Sequence, residues 1–290
     1  MRCQICEGGS LERFRYRLYD ERSLLRRVGY SLPDSLLRLL AAVPRLRRAA
    51  LAVATNRRYF DVDCLWCNSC GTGCTDPPLG KGELAQYYEE YYWENRHVVE
   101  GQHRSSDGRP HPKQIELTAD RLAWIDARCS QFETVIDYGA GDCAAGYLLR
   151  QRATVTAVDP SAQSAQAARD YGLSHSVSLD SVSPADLLYS SHSIEHVHSL
   201  SAVFSALCDK VNPGGHLFFE TPNIADRSLF PRFFAPPHTY TLSIDTFEEL
   251  VRRHRLEMIA WEAVGPPWSK HHQNVDSDAF ADLRVLLRRV

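Results

Sequence analysis

Two cysteine knuckles constrain this chain more than any other feature: Cys3-x2-Cys6 near its start and Cys67-x2-Cys70 sixty residues later. Gly8 and Gly9 follow the first, and Gly71 follows the second. A tight glycine-bearing turn lets two thiolates point at one ion while backbone amides face the sulfurs. Four thiolates are the donor set of a tetrahedral structural Zn2+ site. If Cys3, Cys6, Cys67 and Cys70 share an ion, the chain between them must leave one point and return to it. That gap far exceeds the usual spacing of about 15–20 residues between paired knuckles, so the spacing predicts an insertion. Two other readings stand beside zinc. Cys64-x2-Cys67-x2-Cys70-x3-Cys74 has the spacing of an iron–sulfur run, although Thr75 follows where proline is usual and Cys3 and Cys6 are left without a role. The third reading has no metal. Cys129, Cys143 and Cys208 stand alone and read as small core residues.

The formal net charge of -3 conceals a division. Residues 22–58 hold nine arginines and one acid, Asp34, for +8, which leaves -11 for the remainder. Leucines recur there at helical spacing between the arginines. Ser31 or Asp34 is placed to cap a second helix, and Pro44 to end or restart it. The segment reads as a solvated helical pair, or as a cationic amphipathic patch for an anionic partner: a carrier protein, a lipid surface or a diphosphate-bearing substrate. Without lysines or a nucleic-acid-reading motif, it disfavours nucleic acid. The chain of 290 residues predicts one large domain or two modest ones. With no run of 18 apolar residues and no apolar leader, neither a transmembrane segment nor secretion is expected, and the expected compartment is cytoplasmic.

The second half carries a different signal. Glu133-Thr-Val-Ile-Asp137 reads as a buried strand leading into Tyr138-Gly139-Ala140-Gly141 and then a helix. That layout brings a cofactor close to the backbone and over helix amides. A second strand, Thr154 to Asp159, ends in an acid 22 residues after Asp137, suited to paired hydrogen bonds with ribose hydroxyls. Ala144 occupies the third glycine position of the dinucleotide fingerprint. Asp137 favours an ammonium-bearing ligand, which points to a methyl donor over a nicotinamide.

These residues resemble the class I S-adenosylmethionine-dependent methyltransferases. Asp137-Tyr-Gly139-Ala-Gly141 is similar to their first motif, although Cys143 stands where its last glycine is expected. Asp159-Pro-Ser resembles the ribose-binding end of the second strand. Asp186 through Ser191-His192-Ser-Ile-Glu195-His196 resembles the fourth strand and a following Glu-His pair. Asn212-Pro-Gly-Gly215 through Glu220-Thr-Pro-Asn223 resembles a turn and fifth strand, and His238-Thr-Tyr240 the loop after it. The N-terminal half resembles the zinc-binding region of sugar C-methyltransferases and their smaller relatives, including a Tyr-rich helix with Tyr88 and Tyr92 after Pro77-Pro78.

The resemblance implies an α/β fold, a Rossmann-like doubly wound seven-stranded sheet preceded by a small zinc-binding region with a helical insert. The implied division is 1–80 for the zinc region, 81–112 for the Tyr-rich link and 113–290 for the methyltransferase domain. S-adenosylmethionine would be held by Asp137, Gly139, Gly141, Asp159, Ser191 and His192. His196 would be the general base, oriented by Glu195. Tyr88, Tyr92, His238 and Tyr240 would line the pocket of a small-molecule acceptor, a sugar or other secondary metabolite methylated on oxygen or carbon. The competing functions are a zinc-containing S-adenosylmethionine-binding protein without turnover, and an RNA methyltransferase.

Overall fold

A computed structural model describes residues 2–17, 22–57, 60–88, 108–129, 131–227, 237–264 and 282–290. After the first knuckle, β1 (Leu11–Tyr16) leads into three helices, α1 (Leu24–Ser31), α2 (Asp34–Ala41) and α3 (Pro44–Asn56), before β2 (Val62–Cys67) returns. β2 pairs antiparallel with β1, Leu11 opposite Cys67 and Tyr16 opposite Val62. The insertion is therefore the turn of a β-hairpin whose other end carries the knuckles. Three helices form where the sequence suggested two. Pro33 lacks the N–H that would join the first pair, and Pro44 opens α3 at a position where its missing donor costs nothing. Ser31 ends α1, its hydroxyl donating to the Arg27 carbonyl at 2.7 Å. Asp34 opens α2, where an acid suits the helix dipole. Leu37, Val53 and Phe60 form a small core of the insertion's own.

β3 (Gly73–Asp76) extends this sheet, and α4 (Lys81–Gln86) begins the Tyr-rich link. Tyr92 lies outside the described residues. Next come α5 (Pro112–Asp126), β4 (Thr134–Tyr138), α6 (Ala144–Leu149), β5 (Thr154–Val158), α7 (Ala162–Tyr171), β6 (Ser174–Ser176) and β7 (Ala185–Ser191). They are followed by α8 (Leu200–Asp209), β8 (Val211–Pro222), β9 (Tyr240–Thr241), α9 (Ile244–His254), β10 (Leu256–Val264) and β11 (Asp282–Arg289). The seven-stranded sheet runs β10-β11-β8-β7-β4-β5-β6, with β11 antiparallel to both neighbours. The order reverses between β4 and β7, so the carboxyl ends of these two strands frame the crevice where a doubly wound sheet takes its ligand.

Side-chain alternation sorts the core onto the two faces of the sheet. Leu187, Phe218 and Leu286 pack with Leu122 and Ile125 of α5 and Leu149 of α6. Leu188, Phe219, Val285 and Leu287 pack on the opposite face with Phe204 of α8 and Phe247 of α9. That second core also contains Cys3, Ile5, Cys67 and Cys70. β9 is the fourth strand of the N-terminal sheet, with Cys74 opposite Tyr240. The expected boundary after residue 80 therefore does not separate two independent cores. No helix among the described residues is long and apolar enough to cross a membrane.

Candidate active site

The glycine turn after β4 requires left-handed backbone at three positions: Gly139 at φ 72°, Gly141 at 53° and Cys143 at 58°. Gly139 is doubly constrained. A Cβ there would meet the Ser193 Oγ at 2.0 Å, so only glycine lets the turn after β7 approach this loop. The same Ser193 hydroxyl donates to the Gly139 carbonyl at 3.3 Å and to the Ser191 carbonyl at 3.1 Å. Cys143 adopts the conformation that the resembling motif assigns to glycine, at the strain cost a side chain carries there. Its sulfur is buried against Ser164.

Asp137 lies one residue before the end of β4 in a buried position, and its Oδ2 has no hydrogen-bond partner among the described residues. Burial, reinforced by the charge of Asp142, pushes its carboxyl up to about 7. A buried carboxyl with a vacant oxygen beside a glycine turn is suited to an ammonium group. Across the loop, Asp159 follows β5. One of its oxygens accepts from the Gly141 amide at 3.0 Å, and the other from the Ser161 amide at 2.8 Å and hydroxyl at 2.6 Å. Ser161, rather than Asp159, caps α7. Asp159 is thus clamped at the mouth of the loop, and its remaining lone pairs are available to hydroxyl donors.

The opposite wall grows from a single helical turn after β7, Ile194–His196. Glu195 is buried, and neither of its carboxylate oxygens has a hydrogen-bond partner among the described residues. The nearest basic atoms are His192 Nδ1 at 3.7 Å and His196 Nε2 at 3.6 Å. Burial alone would raise Glu195, but His196, then His192 and His238, hold it down to about 2. His196 lies 4.8 Å from His238, ring centre to ring centre, and 6.1 Å from Tyr88. Burial lowers both imidazoles, His238 to about 3 with the help of its neighbour His196. Both are therefore neutral beside an ionised carboxylate. One ligand-type atom from each of Glu195, His196 and His238 falls within 4.8 Å of the others, so the set also has the donors for a cation.

Tyr240 lines a small cavity with Glu195 and His238, and both it and His192 make further contacts. Tyr240 is buried in the core that holds Cys3 and Cys70, and its hydroxyl donates to Gln4 Oε1 at 3.2 Å, so its ring packs the N-terminal sheet against the body. His192 has φ 50° and its Nε2 lies 3.4 Å from Glu220 and 3.6 Å from Asp282. Burial opposes its protonation, but Asp282, Glu195 and Glu220 outweigh it and raise the imidazole well above the ordinary value. It is the cationic partner of the acceptor-side carboxylates. Ser191 is the last residue of β7, half-buried beside Ser193.

Sequence reasoning passed over Ser193, Glu220, Arg121 and Arg284. Glu220 is buried at the end of β8 and is held by Arg121 and by Arg284, whose Nε lies 2.6 Å away. Burial pushes Glu220 up, yet His192 and Arg121 hold it at about 2. A signal existed for Arg284, one charge inside the apolar run Leu283 to Leu287, directly opposite Glu220 in register. Arg121 and Ser193 left no such mark.

The four knuckle cysteines converge. Cys3 and Cys70 sulfurs are 3.7 Å apart, those of Cys6 and Cys67 3.4 Å, and all four lie within 4.8 Å of one another. Tetrahedral zinc with Zn–S bonds of about 2.3 Å separates its sulfurs by about 3.8 Å, so the geometry fits that ion. The Ile5 and Gly8 amides donate to Cys3 and Cys6, each at 3.4 Å. Cys64 and Cys74 lie in β2 and β3 and take no part in this cluster. From the second knuckle the structure continues into the active site. Thr246 of α9 donates to the Cys70 carbonyl at 3.1 Å, the Thr75 amide to the Thr239 carbonyl at 3.1 Å, and the Thr239 amide to the Glu195 carbonyl at 2.9 Å.

A doubly wound sheet with a glycine turn, a following acid and an acid–imidazole wall at its switch point defines the class: a methyltransferase-type α/β fold. A family model described as a methyltransferase domain matches residues 110–261, just over half of the chain, and the chain belongs to that family. A ubiquinone biosynthesis O-methyltransferase of Pectobacterium atrosepticum is 31% identical over 118 residues, covering 36% of this chain and 49% of that protein. The chain thus matches about half the length of this curated relative. Among solved structures, magnesium protoporphyrin IX methyltransferase from Synechocystis PCC 6803 with bound SAH is similar at TM-score 0.53 and 12% identity, covering 72% of this chain and 99% of that one. A SAM-dependent methyltransferase from Archaeoglobus fulgidus is similar at TM-score 0.50 and 15% identity, covering 69% and 100%. At these identities the likeness is one of fold.

Proposed function

We propose that this protein transfers a methyl group from S-adenosylmethionine to an oxygen or carbon of a small polar acceptor, a sugar or other secondary metabolite, free or carrier-bound. The observation that carries this reading is the contact between Gly139 and Ser193, which sets the donor loop directly against the Glu195–His196 turn. Asp137 would receive the ammonium of the donor, Gly139 and Gly141 would admit its methionine part, and Asp159 would hold the ribose. Ser191, the last residue of β7, would line the crevice beside them. Bound S-adenosylmethionine supplies an electrophilic methyl on a sulfonium. The protein's task is to align a nucleophile with it and to remove that nucleophile's proton.

His196 suits the proton-accepting role, since burial keeps its imidazole unprotonated and so able to take a proton. Ionised Glu195 would stabilise the imidazolium formed, and His238 and Tyr88 would hold the acceptor. A structural Zn2+ on Cys3, Cys6, Cys67 and Cys70 would fix β3, and through β9 the segment just before it that carries His238. The non-catalytic and RNA-directed alternatives lack a comparable observation. The acid–imidazole wall gives the site a chemical task, and the arginine-rich insert lies at the hairpin end remote from the knuckles. Asp159→Ala tests the assignment. Affinity for S-adenosylhomocysteine, measured by titration calorimetry, should fall about ten- to a hundredfold, as expected for a charge-assisted hydrogen-bond pair. Unchanged affinity would reject the donor site.

A further inference from the structure

The helical insertion has two faces of different character. Leu37, Val53 and Phe60 close its inner core, yet its outer surface is unusually apolar. Six of the ten large apolar side chains exposed among the described residues lie between 24 and 46: Leu24, Leu25, Tyr30, Leu39, Val43 and Leu46. Leu24 is 73% exposed and Leu39 66%. Scattered exposed leucines are ordinary, but this concentration in a short segment is not. The arginines are interspersed with them: Arg27, Arg38, Arg45 and Arg47 are exposed on the same three helices, and Arg22 just ahead of the first. Arg26 pairs with Asp61, and Arg57 with the exposed Asp34.

We infer that this insertion is a docking surface for an anionic phospholipid membrane. The chemistry selects this partner over an acidic protein. An acidic protein surface would match the arginines and leave the leucines in water, whereas a bilayer takes guanidinium groups at its phosphates and aliphatic side chains at the acyl boundary. Charge also fixes the orientation, since the +8 insertion would be drawn to the surface while the -11 remainder is repelled. The insertion is the turn of the β1–β2 hairpin, and the knuckles sit at its other end. Docking through it would hold the rest of the protein away from the membrane, with the catalytic crevice clear of the bilayer.

This deepens the expectation of an anionic partner and does not depend on the methyl-transfer reading. The full chain is tested by co-sedimentation with phosphatidylcholine vesicles, pure or one-third phosphatidylglycerol. Binding should favour the anionic vesicles by about tenfold or more. It should fall about tenfold in Arg27→Glu/Arg45→Glu, and comparably in Leu24→Ser/Leu39→Ser/Leu46→Ser. Unchanged thermal unfolding and S-adenosylhomocysteine binding in both variants would show that the fold and donor site persist. Absence of sedimentation by the parent chain overturns the proposal. Sedimentation that the arginine variant loses and the leucine variant keeps also overturns it, because a purely ionic surface suits an acidic protein instead.

Discussion

The two walls of the crevice proposed for donor and acceptor meet at Gly139 and Ser193, but they are built in different ways. The donor wall comes from one stretch, Asp137 to Ser164, in which strand, turn and helix follow one another and the loop's own amides clamp Asp159. The acceptor wall is gathered from three places: the turn at Glu195–His196, the segment at His238, and the Tyr-rich link at Tyr88. Its backbone is tied through Thr239 to β3 and so to the second knuckle. A wall set by local backbone geometry changes little with its surroundings. One assembled from distant segments depends on whatever holds those segments, and here that is the cysteine cluster.

The comparison fails or sharpens under three measurements. Replacing His196 by alanine should lower turnover by about a hundred- to ten-thousandfold, the range for loss of a general base, with S-adenosylhomocysteine affinity unchanged. In the parent protein, turnover should decline with acid only below the ordinary imidazole range, because burial lowers His196. A decline beginning above that range would assign the base elsewhere. Cys67→Ser with Cys70→Ser should abolish stoichiometric zinc by elemental analysis and reduce turnover about tenfold or more, while donor affinity stays within about threefold. Equal loss on both sides would show the two walls to be one unit.

The smallest effect concerns Asp137, raised by burial to about 7 in the free protein. The donor's ammonium stabilises the ionised form, so binding below that pH must expel a proton. Affinity should then weaken by up to about tenfold per pH unit below about 7 and level off above it. Calorimetry in buffers of different ionisation enthalpy should detect the released proton. A flat pH profile would place the ammonium away from Asp137.

Much of this was legible in the residues. The Gly139–Gly141 turn, the acid after β5 and the knuckles are short-range patterns, and each dictates local backbone or donor geometry wherever it occurs. A doubly wound seven-stranded sheet followed from the succession of motifs and is observed, while its strand order came from the structure. The break before Asp34 and the restart at Pro44 were legible as well, and together they give the three helices of the insertion. His192 and Tyr240 were assigned from their place after a strand, but facing direction is settled by neighbours. Glu220 and Asp282, on two other strands, supply ion-pairing neighbours to His192, and the Tyr240 ring packs in the core around Cys3 and Cys70 while lining a cavity with Glu195 and His238.

Sequence by itself determined the elements, the donor loop and the four sulfurs, because each rests on dihedral preference or on the chemistry of residues a few positions apart. Only the tertiary structure decided that β9 would complete the N-terminal sheet, that Arg121 and Arg284 would converge on Glu220, and that His238 would meet His196. Those contacts join residues 42 to 166 positions apart in the chain, as with His196 and His238 or Cys74 and Tyr240. No local preference encodes such meetings. They arise when burying two faces of one sheet leaves a single arrangement in which the polar groups at its carboxyl edge find partners.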